Sequence, residues 1–149
     1  MQAASAAPLT RERDMSVEDN KNVVRRFFKA LEAGDVGQAE RLTTDDLTFW
    51  VAPTAIASGS YSKEKWLQAI STALGDLAAP MTLQLGDLTA EDDRVSVTMV
   101  GNMRLKNGKV YNGHYHSLFW LRDGKISAAK EYIDTYHFGE VFGFPSATA

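Results

Sequence analysis

Residues 106–135 read KNGKVYNGHYHSLFWLRDGKISAAKEYIDT, and this stretch decides the fold. Two turn dipeptides, Asn107-Gly108 and Asp123-Gly124, punctuate runs rich in aromatic and β-branched residues. Asn-Gly and Asp-Gly favour two-residue hairpin turns because both central positions need positive φ, so each turn sets which residues face one another across the strands. Counting outward from Asp123-Gly124 pairs Arg122 with Lys125, Phe119 with Ala128, Ser117 with Lys130, Tyr115 with Tyr132 and Gly113 with Asp134. Counting from Asn107-Gly108 pairs Leu105 with Val110, Asn102 with Gly113 and Val100 with Tyr115. Side chains alternate faces with period two. One face of the expected sheet therefore carries Thr98, Val100, Asn102, Gly113, Tyr115, Ser117, Phe119, Tyr132 and Asp134. The other carries Val95, Val97, Met99, Met103, His114, His116, Leu118, Trp120, Glu131 and Ile133. A bulge in any strand would exchange later residues between these sets.

The rest of the chain agrees with a single compact domain. Its 149 residues are 44% hydrophobic and 10% aromatic, enough for a substantial core and too few for a second domain. Net charge is −3, and the basic residues are dispersed rather than run together, which argues against a nucleic-acid or anionic-membrane surface. With no cysteine, disulfides, thiolate metal sites and a cysteine nucleophile are excluded, and the redox compartment is left open. No run approaches transmembrane length, so a soluble, cytoplasmic protein is expected. Met1 to Asp14 is rich in Ala, Ser and charge, which predicts a disordered tail over 1–15 ahead of one domain at 16–149, with Met15 an alternative start.

Periodicity places the elements. Val23, Val24, Phe27, Phe28 and Leu31 recur at helical spacing between an acidic turn at Ser16 to Asp19 and Gly34, predicting a helix over Ser16 to Ala33. Asp35 caps a short second helix through Leu42. A strand follows at Leu47 to Val51, which Pro53 stops. A loop of small residues runs from Ala52 to Ser60, and a third helix from Tyr61 to Leu77, with Trp66, Leu67, Ile70 and Leu74 on its buried side. Strands are expected at Met81 to Leu88, Arg94 to Leu105, Val110 to Arg122 and Lys125 to Asp134, then a short helix near Tyr136 to Phe142. Helices first and hairpin-linked strands afterwards define an α+β domain, its three N-terminal helices covering one face of a curved antiparallel sheet. Strong twist makes such a sheet a cone with a pocket between helices and strands.

This element order, with DGKI at Asp123 to Ile126, EYIDT at Glu131 to Thr135, FWVAP at Phe49 to Pro53 and SGSY at Ser58 to Tyr61, resembles the SnoaL-like branch of the nuclear transport factor 2-like superfamily. The likeness spans roughly Val17 to Phe142. It implies a cone-shaped α+β barrel of the nuclear transport factor 2-like, or cystatin-like, kind. It also implies a hydrophobic substrate inside the cone, an acidic residue there as general base, and a homodimer through the outer face of the sheet. Reaction type is not implied, because the superfamily includes ketosteroid isomerases, polyketide cyclases, epoxide hydrolases, dehydratases and binding domains. The epoxide hydrolases hold a water between two aspartates joined by an arginine, with a Tyr and an Asn on the first strand. By similarity Asp134 takes one aspartate position, the other aspartate and the arginine fall at Val100 and Thr98, and the Tyr and Asn fall at Phe49 and Val51. The isomerase base falls at Ala52, before Pro53, and the isomerase's acidic oxyanion donor near Tyr115 or His116.

These readings nominate Asp134 as general base, with Tyr115 or Tyr132 donating to a developing oxyanion. Asn102, Val100, Gly113, Trp50, Phe28 and Trp66 would bind the substrate, the missing side chain of Gly113 opening space before the carboxylate. The alternative role for Asp134 is to cap the helix that follows, at about 0.5–2 kcal/mol. His114 and His116 form an H-x-H pair, but the count sets His116 opposite Glu131 as an ordinary charge pair without a third ligand, so no metal is expected. His137 is a lesser candidate at the cavity mouth. No cofactor is expected either, since no glycine-rich phosphate loop joins a strand to a helix. The expected homodimer face carries Met99, Met103, His116, Trp120 and Glu131. The leading expectation is acid–base catalysis of isomerase, cyclase or dehydratase type on a compact, oxygenated, hydrophobic molecule. The alternatives are a non-catalytic ligand-binding or dimerisation module and an epoxide hydrolase-like enzyme without the usual Asp-Arg-Asp set.

Overall fold

A computed structural model describes residues 15–146, so the disordered tail expected over residues 1–15 lies, Met15 apart, outside the described residues. The elements run α1 Val17–Glu32, α2 Val36–Arg41, β1 Thr43–Val51, β2 Gly59–Ser62, α3 Lys63–Gly75, β3 Thr82–Glu91, β4 Arg94–Arg104, β5 Val110–Arg122, β6 Lys125–Ile133 and α4 Thr135–Phe142. Helix α1 begins where Ser16 accepts the Asp19 N–H and Asp19 returns a bond to the Ser16 N–H, a reciprocal cap that satisfies two otherwise unpaired donors. It ends ahead of Gly34, whose φ of 71° suits the left-handed turn after a helix. Asp35 caps α2 by accepting from the Gln38 N–H at 2.9 Å, and Ser62 caps α3.

The strands form one curved, unclosed sheet of six in the order β2-β1-β6-β5-β4-β3, with helices packed on its concave side. The sheet is mixed, because β1 lies parallel to β6. Its remaining pairs are antiparallel. Strand β2 replaces the end of the expected loop and the start of the expected third helix: Ser60 and Tyr61 pair with Trp50 and Phe49, completing the edge beside β1. The main core joins Val23, Val24, Phe27, Phe28 and Leu31 of α1 to Phe49, Val95, Val97, Met99, Phe119, Ile126 and Ala129 of the sheet. A smaller cluster of Leu105, Tyr111 and Val141 fastens α4 over one end. Among the described residues no helix is long and apolar enough to cross a membrane.

Both counted registers are off by one residue, for two separate reasons. The turn between β4 and β5 has three residues, not two. The Leu105 N–H donates to the Lys109 carbonyl at 2.9 Å and the Gly108 N–H to the Leu105 carbonyl at 3.0 Å, with Gly108 at φ 86°. Asn107 does not need positive φ here, and its side chain accepts the Lys109 N–H at 3.0 Å. This is the hairpin in which a type I turn is followed by one left-handed glycine. The pairs become Arg104 with Val110, Gly101 with Gly113, Met99 with Tyr115 and Val97 with Ser117. Val95, Val97, Met99 and Met103 therefore share the concave face with Tyr115 and Ser117, while Thr98, Val100 and Asn102 turn outward.

The Asp123-Gly124 turn does have two residues of positive φ, at 52° and 76°, as its type demands. The slip comes two residues later, where Leu121 pairs with Ile126 but Trp120 pairs with Ala128. Ser127 is the extra residue of a bulge, its hydroxyl donating to the Trp120 carbonyl at 3.2 Å. Beyond it Phe119 faces Ala129, Ser117 faces Glu131 and Tyr115 faces Ile133. Glu131 is thereby turned into the cone, and Tyr132 out of it.

Candidate active site

The concave face of the sheet, α1, α3 and α4 enclose a cavity of about 660 Å³. Its walls are apolar: Phe27 and Phe28 from α1, Phe49 from β1, Trp66 from α3, Met99 from β4 and Phe119 from β5. Trp66 is stacked between Phe27 and Phe49, with ring centroids 5.6 Å away on either side. The mouth lies between α3 and α4. There Gln68, Ala69, Thr72 and Ala73 line the cavity while exposed to solvent, opposite Phe138 and the partly exposed Phe142.

Four polar side chains reach this apolar space from two strands: Tyr111, Tyr115 and Ser117 of β5 and Glu131 of β6. Strand alternation explains the β5 set, since residues 111, 113, 115 and 117 share one face. Gly113 and Gly101 face each other beneath the two tyrosines. A Cβ on Gly113 would lie 2.6 Å from the Tyr111 ring and hydroxyl, so the glycine is what lets that ring lie flat on the sheet. The space at Gly113 is thus filled by Tyr111, not open to substrate.

Glu131 is the unusual group. Its side chain is half-buried and lines the cavity, and among the described residues nothing donates a hydrogen bond or an opposite charge to it. A carboxylate that loses hydration without gaining a partner is disfavoured, and burial alone pushes the Glu131 pKa up to about 7. Such a group is poised between acid and base at neutral pH. Burial, with the charge of Glu131 adding to it, lifts the Tyr115 pKa well above the ordinary value, and burial above all pushes Tyr111 up to about 12. Both phenols stay protonated at neutral pH and can donate. The two tyrosines lie close enough to influence each other's ionisation. The Tyr111 hydroxyl is nonetheless buried without a partner meeting hydrogen-bond geometry. An unpaired buried hydroxyl costs about 1–3 kcal/mol.

The nominated residues separate. Tyr115, Phe28 and Trp66 line the cavity. Asp134 does not: it is exposed at the start of α4, where it accepts the His137 N–H at 3.2 Å as helix cap. Tyr132 is 48% exposed on the outer face, its ring against Trp50 at 5.2 Å. Trp50 is on that outer face as well, with Lys130 over its ring. Asn102 is exposed and Val100 half-buried, both outside the cone, because of the three-residue turn. Gly113 is inside but serves Tyr111. The inward positions of β4 are Val95, Val97 and Met99, so the epoxide hydrolase's acid and arginine are missing from the inner positions too. The outer face loses Met99, Met103 and Glu131 from its expected composition, and His116 stands opposite Tyr132 with its Nε2 2.6 Å from Ser96 Oγ. Among the described residues no cluster of three His, Cys, Asp or Glu could hold a metal ion.

Glu131 and Tyr111 were the residues missed. A signal for the first was available in β4 itself: Val95, Val97 and Met99 alternate with Ser96 and Thr98, which marks the apolar set as the core face whatever the turn implies. His137 lies beside the cavity, stacked on Tyr111 at 5.3 Å. Its Nε2 accepts the Asn112 N–H at 3.2 Å, which leaves Nδ1 as the donor to Glu140.

Comparison with known proteins agrees with this architecture. Residues 24–129 match the family described as SnoaL-like domain. No curated protein matches the sequence. Among solved structures, a nuclear transport factor 2-like protein of Burkholderia xenovorans LB400 is 19% identical with a TM-score of 0.69, covering 85% of this chain and 98% of its own. IdmH of Streptomyces antibioticus, a candidate polyketide cyclase, is 17% identical with a TM-score of 0.70, covering 83% of this chain and 98% of its own. An LEH-like epoxide hydrolase of M. tuberculosis is 14% identical with a TM-score of 0.68, covering 83% of this chain and 89% of its own. At these identities the likeness establishes the fold.

Proposed function

This chain belongs to the SnoaL-like domain family, and from that premise we propose that it catalyses acid–base chemistry on a compact, oxygenated, hydrophobic molecule held in the cone, with Glu131 as the base. The observation that carries the reading is the unpartnered carboxyl of Glu131 in an apolar cavity, its pKa raised by burial to about 7. Structural carboxylates are ordinarily exposed, paired or capping a helix, and Asp134 does the last of these. An acid in an apolar cavity without a partner is costly to the fold, and such costs concentrate at functional sites.

In the proposed reaction the ionised Glu131 removes a proton from carbon beside a carbonyl. Negative charge then develops on the carbonyl oxygen. Tyr115 donates to that oxygen, with Tyr111 packed beside it. The protonated Glu131 returns the proton elsewhere on the substrate, which gives isomerisation, or to a departing hydroxyl, which gives dehydration. If the enolate attacks a second carbonyl within the substrate, the carbonyl π bond opens to an alkoxide that takes the proton from Glu131, and an aldol-type ring closure results. The aromatic and methionine walls exclude water and bind apolar surface at about 25 cal/mol per Å².

The test is a screen of small ketones, enones and lactones for turnover, followed by Glu131→Gln. Loss of at least about 100-fold, the usual scale for a general base, supports the proposal. Undiminished turnover would transfer the chemistry to another residue. If no substrate is turned over but ligands bind equally to both forms, the non-catalytic binding module on the same fold is the better description.

A further inference from the structure

A side chamber of about 190 Å³ adjoins the main cavity. Glu131, Tyr115 and Trp66 line both spaces. Val51 of β1, Ala57 of the β1–β2 loop, Tyr61 of β2 and Ile133 of β6 line the side chamber alone. The Tyr61 hydroxyl donates to the Ala57 carbonyl at 2.6 Å, which fixes the loop as a wall. The carboxyl of Glu131 therefore stands at a junction between a large apolar room and a small one, rather than at the end of a single pocket.

We propose that this junction selects a two-part substrate, in which a bulky apolar body fills the main cavity, a short apolar arm fills the side chamber, and the reacting carbon with its carbonyl lies between them beside Glu131 and Tyr115. The inference rests on the acid–base reading of Glu131 for the place of reaction, but its binding consequence does not need catalysis. At roughly 30 Å³ per water-sized group, the side chamber holds an arm of about six heavy atoms. A longer arm meets the wall made by Ala57 and Val51. Ala57 is on the loop, away from the proposed chemistry, and Val51 is the neighbour of Glu131 across β1 and β6, so the first sets specificity by volume at the far wall and the second beside the carboxyl.

Trp66 reports occupancy, because it is the tryptophan in the cavity wall, whereas Trp50 and Trp120 are outside it. The probe is a series of 2-acylnaphthalenes whose acyl chain is lengthened carbon by carbon from acetyl, with quenching of Trp66 emission as the readout. In the natural protein each added carbon should tighten binding by about fourfold, the equivalent of ~0.8 kcal/mol per buried CH₂, until the arm reaches about six heavy atoms, and then stop or reverse. Ala57→Leu should flatten that ladder while the acetyl compound binds within about twofold of its original affinity, and Val51→Phe, from a different element and next to Glu131, should flatten it as well. Met99→Trp, which narrows the main cavity, should weaken every member alike. A ladder absent from the natural protein, or unchanged in both side-chamber variants, overturns the proposal. Glu131→Gln is read separately by turnover: retained turnover removes the acid–base reading while the binding ladder still decides the side chamber.

Discussion

Replacing Glu131 by Gln should make the protein more stable at neutral and alkaline pH, and by an amount that depends on pH in a defined direction. The Glu131 pKa is raised by burial from an ordinary 4.5 to about 7. Between those values the folded protein keeps a proton that the unfolded chain has released, so the native state binds more protons and stability falls as pH rises. Below 4.5 both states are protonated and the penalty is absent. Above about 7 both are ionised and the penalty is complete. At about 1.4 kcal/mol per pH unit this amounts to roughly 3 kcal/mol, which water entering the cavity would reduce. Gln occupies nearly the same volume, cannot ionise, and should escape the whole effect. Urea unfolding of both proteins across the window gives the difference curve, in which other titrating groups, including the three histidines, cancel. The variant should gain stability relative to the natural protein from about 4.5 upward and level off above about 7. Turnover of the natural protein should instead rise as pH passes through about 7, the pKa of the folded state, because the base acts only when ionised. A stability difference that does not change with pH would mean that the carboxyl is solvated in the folded state, and the argument for Glu131 as base would fail with it.

Asp134→Asn should leave both stability and turnover nearly unchanged, because Asn caps a helix as well as Asp, whereas Asp134→Ala should lose about 1 kcal/mol in a urea melt with turnover intact. A large loss of turnover in the Asn variant would restore Asp134 to the chemistry. Gly113→Ala puts a methyl 2.6 Å from the Tyr111 ring, which His137, Phe138 and Phe142 hold in place. The ring must move, at about 1–3 kcal/mol, and a thermodynamically silent substitution would show that the ring is loosely held. On the outer face, Trp50, Trp120 and Tyr132 leave aromatic surface in water, and we expect a homodimer there by light scattering at micromolar concentration. Tyr132→Glu should shift it to monomer without weakening ligand binding in the cone, and a natural protein that is already monomeric refutes the expectation.

The sequence by itself determined the class of fold and almost every element. The helical spacing of Val23, Val24, Phe27, Phe28 and Leu31, the caps at Ser16 and Asp35, and the Asp123-Gly124 turn are local signals, and local signals survive folding because they act within a few residues. The EYIDT run also holds an acid that lines the cavity, but that acid is Glu131, whereas Asp134 caps α4 outside it. Only the tertiary structure decided which side chains enter the cone. A strand repeats every two residues, so one unpaired residue reverses every later side chain. Two such residues were at stake. Asn107-Gly108 is compatible with a two-residue turn or with a three-residue turn carrying one left-handed glycine, and the choice depends on how β4 packs under α1. Ser127 looks like any strand residue, and its bulge exists because Ile126 before it and Ala129 after it must both reach the core. Parallel pairing of β1 with β6 and the short edge strand β2 were equally out of reach, since both are contacts between segments distant in the chain. The position of Glu131 follows from all of these at once: it is acidic by sequence, but its place among apolar walls without a partner is a property of the tertiary structure.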